Sequence, residues 1–125
     1  MSNALNWFEI PVAQVQRAQD FYEFVTQQAL RREAIGAPGE TLVVFAYDQK
    51  TGVGGALHHS PGKQPSPQGT MVYLNAEPSL DAWLQRVLSA GGAIVTPKTA
   101  LPPGMGYFAH FRDSEGNHVG AHALQ

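Results

Sequence analysis

The segment Tyr107-Phe108-Ala109-His110-Phe111-Arg112-Asp113-Ser114-Glu115-Gly116-Asn117-His118-Val119-Gly120-Ala121-His122-Ala123 decides how the whole chain is read. Its centre, Asp113 to Asn117, gathers Asp, Ser, Gly and Asn, which bond their own backbone or tolerate a left-handed turn. The flanks alternate as strands with one buried face do, so the stretch predicts a hairpin of Tyr107 to Arg112 and His118 to Ala123. In the second strand Val119, Ala121 and Ala123 share the face expected to meet helices, and His118, Gly120 and His122 share the other. Pairing Arg112 with His118 across the turn puts His110 opposite Gly120 and on that same open face.

A weaker copy of this hairpin lies upstream. Thr41 to Tyr47 and Val53 to His58 flank the polar turn Asp48-Gln49-Lys50-Thr51-Gly52. Asp48 and Asp113, like Gly55-Ala56 and Gly120-Ala121, are 65 residues apart (113 − 48 and 120 − 55). Each hairpin is preceded by a strand and an amphipathic helix. Asn6 to Val12 reads as a strand, and Val15 to Leu30 as a helix whose Ala18, Phe21, Tyr22, Val25 and Ala29 share one face. Thr70 to Asn75 reads as a strand. Ser79 to Ala90 follows as a helix with Ser79 as N-cap, Leu80, Trp83, Leu84, Val87 and Leu88 inward, and Gly91-Gly92 as the stop. Arg32 to Ala34 and Ala93 to Val95 supply the remaining short strand of each module. Pro and Gly cluster in Gly36 to Gly39, Pro61 to Gly69 and Pro97 to Gly106, which read as loops. The result is one α+β domain over residues 1–125, built of two βαβββ modules, roughly residues 5–60 and 70–123, joined by a Pro-rich linker over 61–69. Two copies are too few for a stacked array, so the sheets are expected to curve around something shared, either a pocket or a filled interior.

The order of elements, with Phe8-Glu9-Ile10-Pro11-Val12, Arg17-Ala18, Phe21-Tyr22, Gly52-Val53-Gly54-Gly55 and the Gly104 to Asn117 stretch, resembles the vicinal oxygen chelate superfamily, most closely its glyoxalase and bleomycin-resistance branch. The resemblance implies a curved mixed sheet around a small-molecule pocket and commonly a homodimer. It names no substrate, since the superfamily holds lyases, isomerases, dioxygenases, epimerases and antibiotic-binding proteins. Metal-dependent members carry a His on the first strand of each module and a Glu on the last. Those positions fall on Trp7, Thr70, Gly55 and Gly120 here, none of which is a ligand for a divalent cation. The expectation is therefore no cofactor, with a replacement site of Glu9, His110 and His122 as the way a divalent metal could still be held.

Strand alternation puts Phe8, Ile10 and Val12 under the helices and turns Trp7 and Glu9 to the open face. Glu9 is the candidate base, with His110 or His122 assisting as the acid of a lyase or isomerase. An imidazole pairing with Glu9 is expected, because an isolated buried carboxylate is costly. Trp7, Phe45, Tyr47, Thr70, Phe108 and His118 are the expected ligand contacts, whereas Leu57, Val72 and Leu74 are expected to fill core. His58-His59 reads as an exposed pair at the mouth of the Pro-rich loop. Lys98 to Gly106 reads either as a flap over the pocket or as an ordinary connector.

Composition excludes several other functions. Eight Lys and Arg against ten Asp and Glu, with no basic cluster, argue against nucleic acid. With no cysteine there is no disulfide, thiolate metal site or cysteine nucleophile. Phosphate-loop, dinucleotide and Gly-x-Ser-x-Gly motifs are missing. The start, Met1 to Asn6, lacks the basic and apolar regions of a secretory signal, and the longest apolar run, Leu42 to Tyr47, is too short for a bilayer. A cytoplasmic protein without membrane contact is expected, one that binds a small organic molecule as a homodimer. A pure interaction protein with a solid sheet is the contrasting expectation.

Overall fold

A computed structural model describes residues 3–34 and 38–125, so part of the expected Gly36 to Gly39 loop lies outside the described residues. Two modules of identical order appear. In the first, β1 (Trp7–Pro11) is followed by α1 (Val15–Thr26), β2 (Arg31–Glu33), β3 (Thr41–Val44) and β4 (Gly54–His59). In the second, β5 (Tyr73–Asn75) is followed by α2 (Leu80–Ser89), β6 (Ala93–Ala100), β7 (Tyr107–Arg112) and β8 (His118–Ala123). Each module forms its own four-stranded mixed sheet, β1-β4-β3-β2 and β5-β8-β7-β6, with the first strand of the module parallel to the last. Neither sheet closes into a barrel. No helix among the described residues is long and apolar enough to cross a membrane.

Both helices pack against each other and against one side of the sheets. Their inward residues, Ala18, Phe21, Tyr22 and Val25 from α1 and Leu80, Trp83 and Val87 from α2, meet Ile10, Val12, Leu57, Leu74, Phe111, Val119 and Ala121 in one core. Burial of that face is what holds such short helices, since ten or twelve residues are marginal alone. Ser79 caps α2 as its sequence position requires, accepting from the amide of Ala82 at 3.1 Å. Gln14 at the start of α1 offers no side-chain cap. Instead Glu115, from the turn between β7 and β8, accepts from the amides of Ala13 and Gln14 at 3.0 and 2.9 Å and binds Arg17 at 2.6 Å. A carboxylate of the second module thus sits at the positive end of the first module's helix.

The closing hairpin has the register its sequence predicts, Arg112 opposite His118 and His110 opposite Gly120. Other boundaries differ. Thr70 precedes β5 and lies outside any strand. The second-module β6 extends to Ala100, so only Leu101 to Gly106 remain of the expected flap, and they form a tight connector closed by Leu101 N to Gly106 O and Met105 N to Pro102 O.

The spacing of 65 residues also needs correction at the strands. An odd offset exchanges the two faces of a strand. A Cβ on Gly55 would run into the ring of Phe8, on the helix side, whereas a Cβ on Gly120 would meet Tyr73 on the open side. The ladders pair Trp7 with Gly54 and Tyr73 with Gly120, so Tyr73, and not Thr70, takes the open-face position of the second module that Trp7 takes in the first.

Candidate functional site

Trp7 and Glu9 leave β1 on the open face while Phe8 and Ile10 turn inward, as the alternation predicts. The Trp7 indole N–H donates to Glu9 Oε2 at 3.3 Å. The imidazole beside Glu9 belongs to His58, which shares the open face of the neighbouring β4, and not to His110 or His122. His58 Nδ1 lies 3.3 Å from Glu9 Oε1, and His58 Nε2 bonds Glu40 Oε1 at 2.9 Å. The expectation of an exposed His58 is overturned, since its side chain is only 12% exposed. The sequence hid this because the partner of β1 in a βαβββ unit is the last strand, almost fifty residues on. His59 is held by the backbone oxygen of Val12 at 3.2 Å.

Glu9 and His58 form one wall of a cleft of about 300 Å³ where the modules meet. Thr70, Val72, His118 and Val119 contribute the facing wall from the second module, and Lys63 and Gln64 reach it from the linker. The linker is fixed in place, because Ser66 N donates to Asn117 Oδ1 at 3.0 Å and the Asn117 amide donates to the Pro11 carbonyl at 2.7 Å. The His58 Nδ1 atom is buried and, despite its proximity to Glu9, off the line of a hydrogen bond.

A second set of residues occupies the open face of the other sheet. The Tyr73 hydroxyl lies 2.6 Å from His110 Nε2, and His110 Nδ1 lies 2.9 Å from Thr96 Oγ1. His122 Nε2 is 2.7 Å from the Met105 carbonyl, which can only accept, so the proton of His122 sits on Nε2 and leaves Nδ1 an acceptor in the neutral ring. Arg112 donates weakly to His118 at 3.4 Å. Tyr73, Leu101, Phe108 and His122 line a shallow, largely apolar hollow. Glu9, Thr70 and His118 therefore share one site, His110, His122 and Phe108 cluster in another, and the expected trio of Glu9, His110 and His122 does not assemble. Tyr73 is the residue the sequence reading missed; its register opposite a glycine was the available signal.

Tyr47 stands edge-on to Trp7 at 6.2 Å between ring centroids and stays part-exposed. Phe45 is 9% exposed and packs on Phe8 and Tyr22 within the core cluster. Leu57 and Leu74 fill core as expected.

The superfamily's metal positions do not fit a divalent ion in this chain. The open-face residues there are an indole N–H donor, a phenol already bonded to His110, and glycines. Among the described residues no three His, Asp or Glu converge as a ligand set. The two carboxylates near His58 approach opposite nitrogens of its ring and leave no shared centre.

Known structures share this architecture. A hypothetical protein from S. aureus matches with a TM-score of 0.65 and 21% identity over 94% of each chain. Mutant glyoxalase I from Zea mays matches with a TM-score of 0.71 and 19% identity, over 94% of this chain and 45% of the maize chain. An antibiotic binding protein from Streptomyces sp. CB03234 matches with a TM-score of 0.65 and 22% identity, over 99% of this chain and 98% of that one. At these identities the likeness establishes the fold. No curated protein matches the sequence. The profile of the Glyoxalase/Bleomycin resistance protein/Dioxygenase superfamily matches residues 4–120, nearly the whole chain, and the protein belongs to that superfamily.

Proposed function

We propose that this chain binds a small organic molecule in the cleft between Glu9, His58, Thr70 and His118, and that it does so without a divalent metal. The observation that carries the reading is the Glu9 carboxylate in the cleft wall, backed by His58 Nδ1 at 3.3 Å. A ligand hydroxyl or amide N–H in the cleft would donate to Glu9, while Ile10, Val72 and Val119 would cover its apolar part. A second copy of the chain is the proposed cover for the open faces, where Trp7, Tyr47 and Tyr73 remain 38%, 37% and 50% exposed. The cytoplasm is the proposed location.

Thermal shift over hydroxylated aromatic acids, amides and antibiotics tests the binding, because a ligand at 100 times its Kd adds about 2.7 kcal/mol of apparent stability. A shift is expected that chelator leaves intact and that Glu9→Gln and His58→Ala each remove. About one transition ion per purified chain, lost in Glu9→Ala, would sink the metal-free reading. Light scattering giving a monomer at all concentrations would remove the second copy.

A second reading is favoured by the run of Glu9, His58 and Glu40. Glu9 would take a proton from a carbon acid beside a carbonyl and return it to the rearranged product, with His58, oriented by Glu40, assisting by holding the Glu9 side chain. This replaces the assisting role expected of His110 or His122. Its test is deuterium incorporation from D2O into an α-hydroxy ketone, expected to disappear in Glu9→Gln. Incorporation at the wild-type rate in that variant rejects Glu9 as the base.

A further inference from the structure

One row of residues crosses the second sheet from edge to edge and ends in a phenol. The ladders place Thr96 opposite His110, His110 opposite Gly120 and Gly120 opposite Tyr73, so the four stand in line across β6, β7, β8 and β5. Neighbouring strands lie about 4.8 Å apart, so a side chain on β8 would keep Tyr73 and His110 from meeting. Gly120 leaves that place empty, and the Tyr73 ring lies over the β8 backbone where a Cβ would strike it. The phenol oxygen thereby comes within 2.6 Å of His110 Nε2, while Thr96 Oγ1 holds His110 Nδ1 at 2.9 Å. A neutral imidazole has one donor and one acceptor nitrogen. A phenol is a stronger acid than an aliphatic alcohol, so the Tyr73 O–H donates to Nε2 and the Nδ1–H donates to Thr96. His110 and Thr96 are half-buried and Tyr73 is half-exposed, which shelters the imidazole and leaves the phenol accessible. A weak nucleophile, a base within hydrogen-bond reach and a third group that orients the base are the parts of an activated nucleophile.

We propose that Tyr73 is a covalent acceptor site for small acyl donors, with its oxygen as the nucleophile, His110 as the general base and Thr96 as the positioning residue. The Tyr73 oxygen bonds to the acyl carbon of an aryl ester as its proton passes to His110 Nε2. The bond from the acyl carbon to the aryl oxygen breaks, and the leaving aryl oxide takes the proton back from His110. The products are O-acyl Tyr73, a phenol and a neutral imidazole. An apolar donor suits the site, since Leu101 and Phe108 line the hollow beside the phenol. Tyr73, His110 and Thr96 take no part in the cleft at Glu9, so the proposal stands whether or not that cleft binds anything.

The first module supplies an internal control. Tyr47 also lies over a glycine, Gly54 of β4, and is part-exposed, but its neighbour is the Trp7 ring instead of an imidazole. The test is 4-nitrophenyl acetate added to the intact chain, with peptide mass spectrometry to follow each tyrosine and hydroxylamine reversal to identify acetyl on phenolic oxygen. Tyr73 is expected to be acetylated about a hundredfold faster than Tyr47, the acceleration a positioned base supplies. Both tyrosines stand on open faces, so cover by a second copy bears on both and the comparison isolates the imidazole. His110→Gln, which keeps a polar side chain and removes the base, should bring Tyr73 down to the rate of Tyr47. Gly120→Ala should do the same by pushing the Tyr73 ring off His110 while leaving both residues in the chain. Equal rates at the two tyrosines of the wild type overturn the proposal, and so does an unchanged Tyr73 rate in either variant. The wild-type comparison needs no substitution, so it decides even where a variant fails to fold.

Discussion

The turns after β3 and β7 are built on the same local plan and end in opposite physical situations. Asp48 folds the first turn on itself, accepting from the amide of Lys50 at 2.9 Å and the hydroxyl of Thr51 at 2.6 Å, all of it exposed. Those hydrogen bonds, from Thr51 first and then Lys50, hold its carboxyl below the usual range. Asp113 makes the corresponding bonds to the amides of Glu115 and Asn117, both at 2.9 Å, but is 4% exposed and also accepts from the Tyr22 hydroxyl of α1 at 2.7 Å. Burial dominates there and pushes its carboxyl up, although Tyr22, Glu115 and Asn117 all pull the other way. The same environment pushes the Tyr22 phenol far up, which keeps it a neutral donor. One Asp-initiated turn is thus a surface turn, and the other is the joint between the modules.

The comparison breaks most visibly if the two aspartates are removed in turn. Asp113→Ala strands the buried Tyr22 hydroxyl and frees the turn that carries Glu115 and Asn117, so it should cost about 3 to 5 kcal/mol. That is a large part of the stability of an ordinary domain. Asp48→Ala should lower the midpoint of a urea titration only slightly. Equal losses would mean that the second turn does not join the modules.

The two glycines once matched by spacing give the next largest contrast. Gly55→Ala drives a methyl into Phe8, which is packed on Phe45 against the core, and should cost about 1 to 3 kcal/mol. Gly120→Ala pushes on Tyr73, which is half-exposed and free to swing away. It should cost less than half as much, while the bond from Tyr73 to His110 is lost and the His110 15Nε2 resonance moves. A larger loss for Gly120→Ala would restore the odd offset and undo the assignment of faces.

What the sequence made legible follows the range of the interactions. The β7 and β8 hairpin, the cap at Ser79 and the outward turn of Trp7 and Glu9 each depend on neighbours in the chain, and each was readable. His58 was not, because its approach to Glu9 depends on the pairing of β1 with β4 across a whole module. The capping of α1 by Glu115 spans about a hundred residues and leaves no local sign beyond the poor cap at Gln14. Thr70 and Tyr73 were exchanged as open-face residues for a different reason. Strand order was clear from composition, but register was taken from a single offset, and one residue of slip reverses a face.

Glu115 sharpens the joint at smaller scale. Burial alone would push its carboxyl up, yet Arg17, the amides of Gln14 and Ala13 and the Ser114 hydroxyl together hold it low. Glu115→Gln keeps the shape and removes the charge. Because Arg17 is half-exposed, the ion pair is screened, and a loss of about 1 kcal/mol is expected, shrinking in high salt. No loss at low salt would leave α1 held by packing alone.

The subtlest contrast is in the response to acid. Asp113 and Asp48 share an ordinary value of 3.8 and depart from it in opposite directions. Between 3.8 and the raised value of Asp113, the unfolded chain has already released a proton that the folded chain still holds. Folding stability from this group is therefore fully present below 3.8 and is lost as pH rises through the raised value. For Asp48 the folded chain releases its proton first, so the contribution is present above 3.8 and is lost as pH falls through the lowered value. Urea midpoints measured at a series of pH values for the wild type, Asp113→Asn and Asp48→Asn isolate the two groups, since every other carboxylate cancels in the differences. The advantage of the wild type over Asp113→Asn should shrink as pH rises above 3.8, whereas its advantage over Asp48→Asn should grow as pH rises toward 3.8 and then level off. Difference curves of the same sign would show that hydrogen bonding outweighs burial at Asp113. The two turns would then differ in their partners and not in their electrostatics.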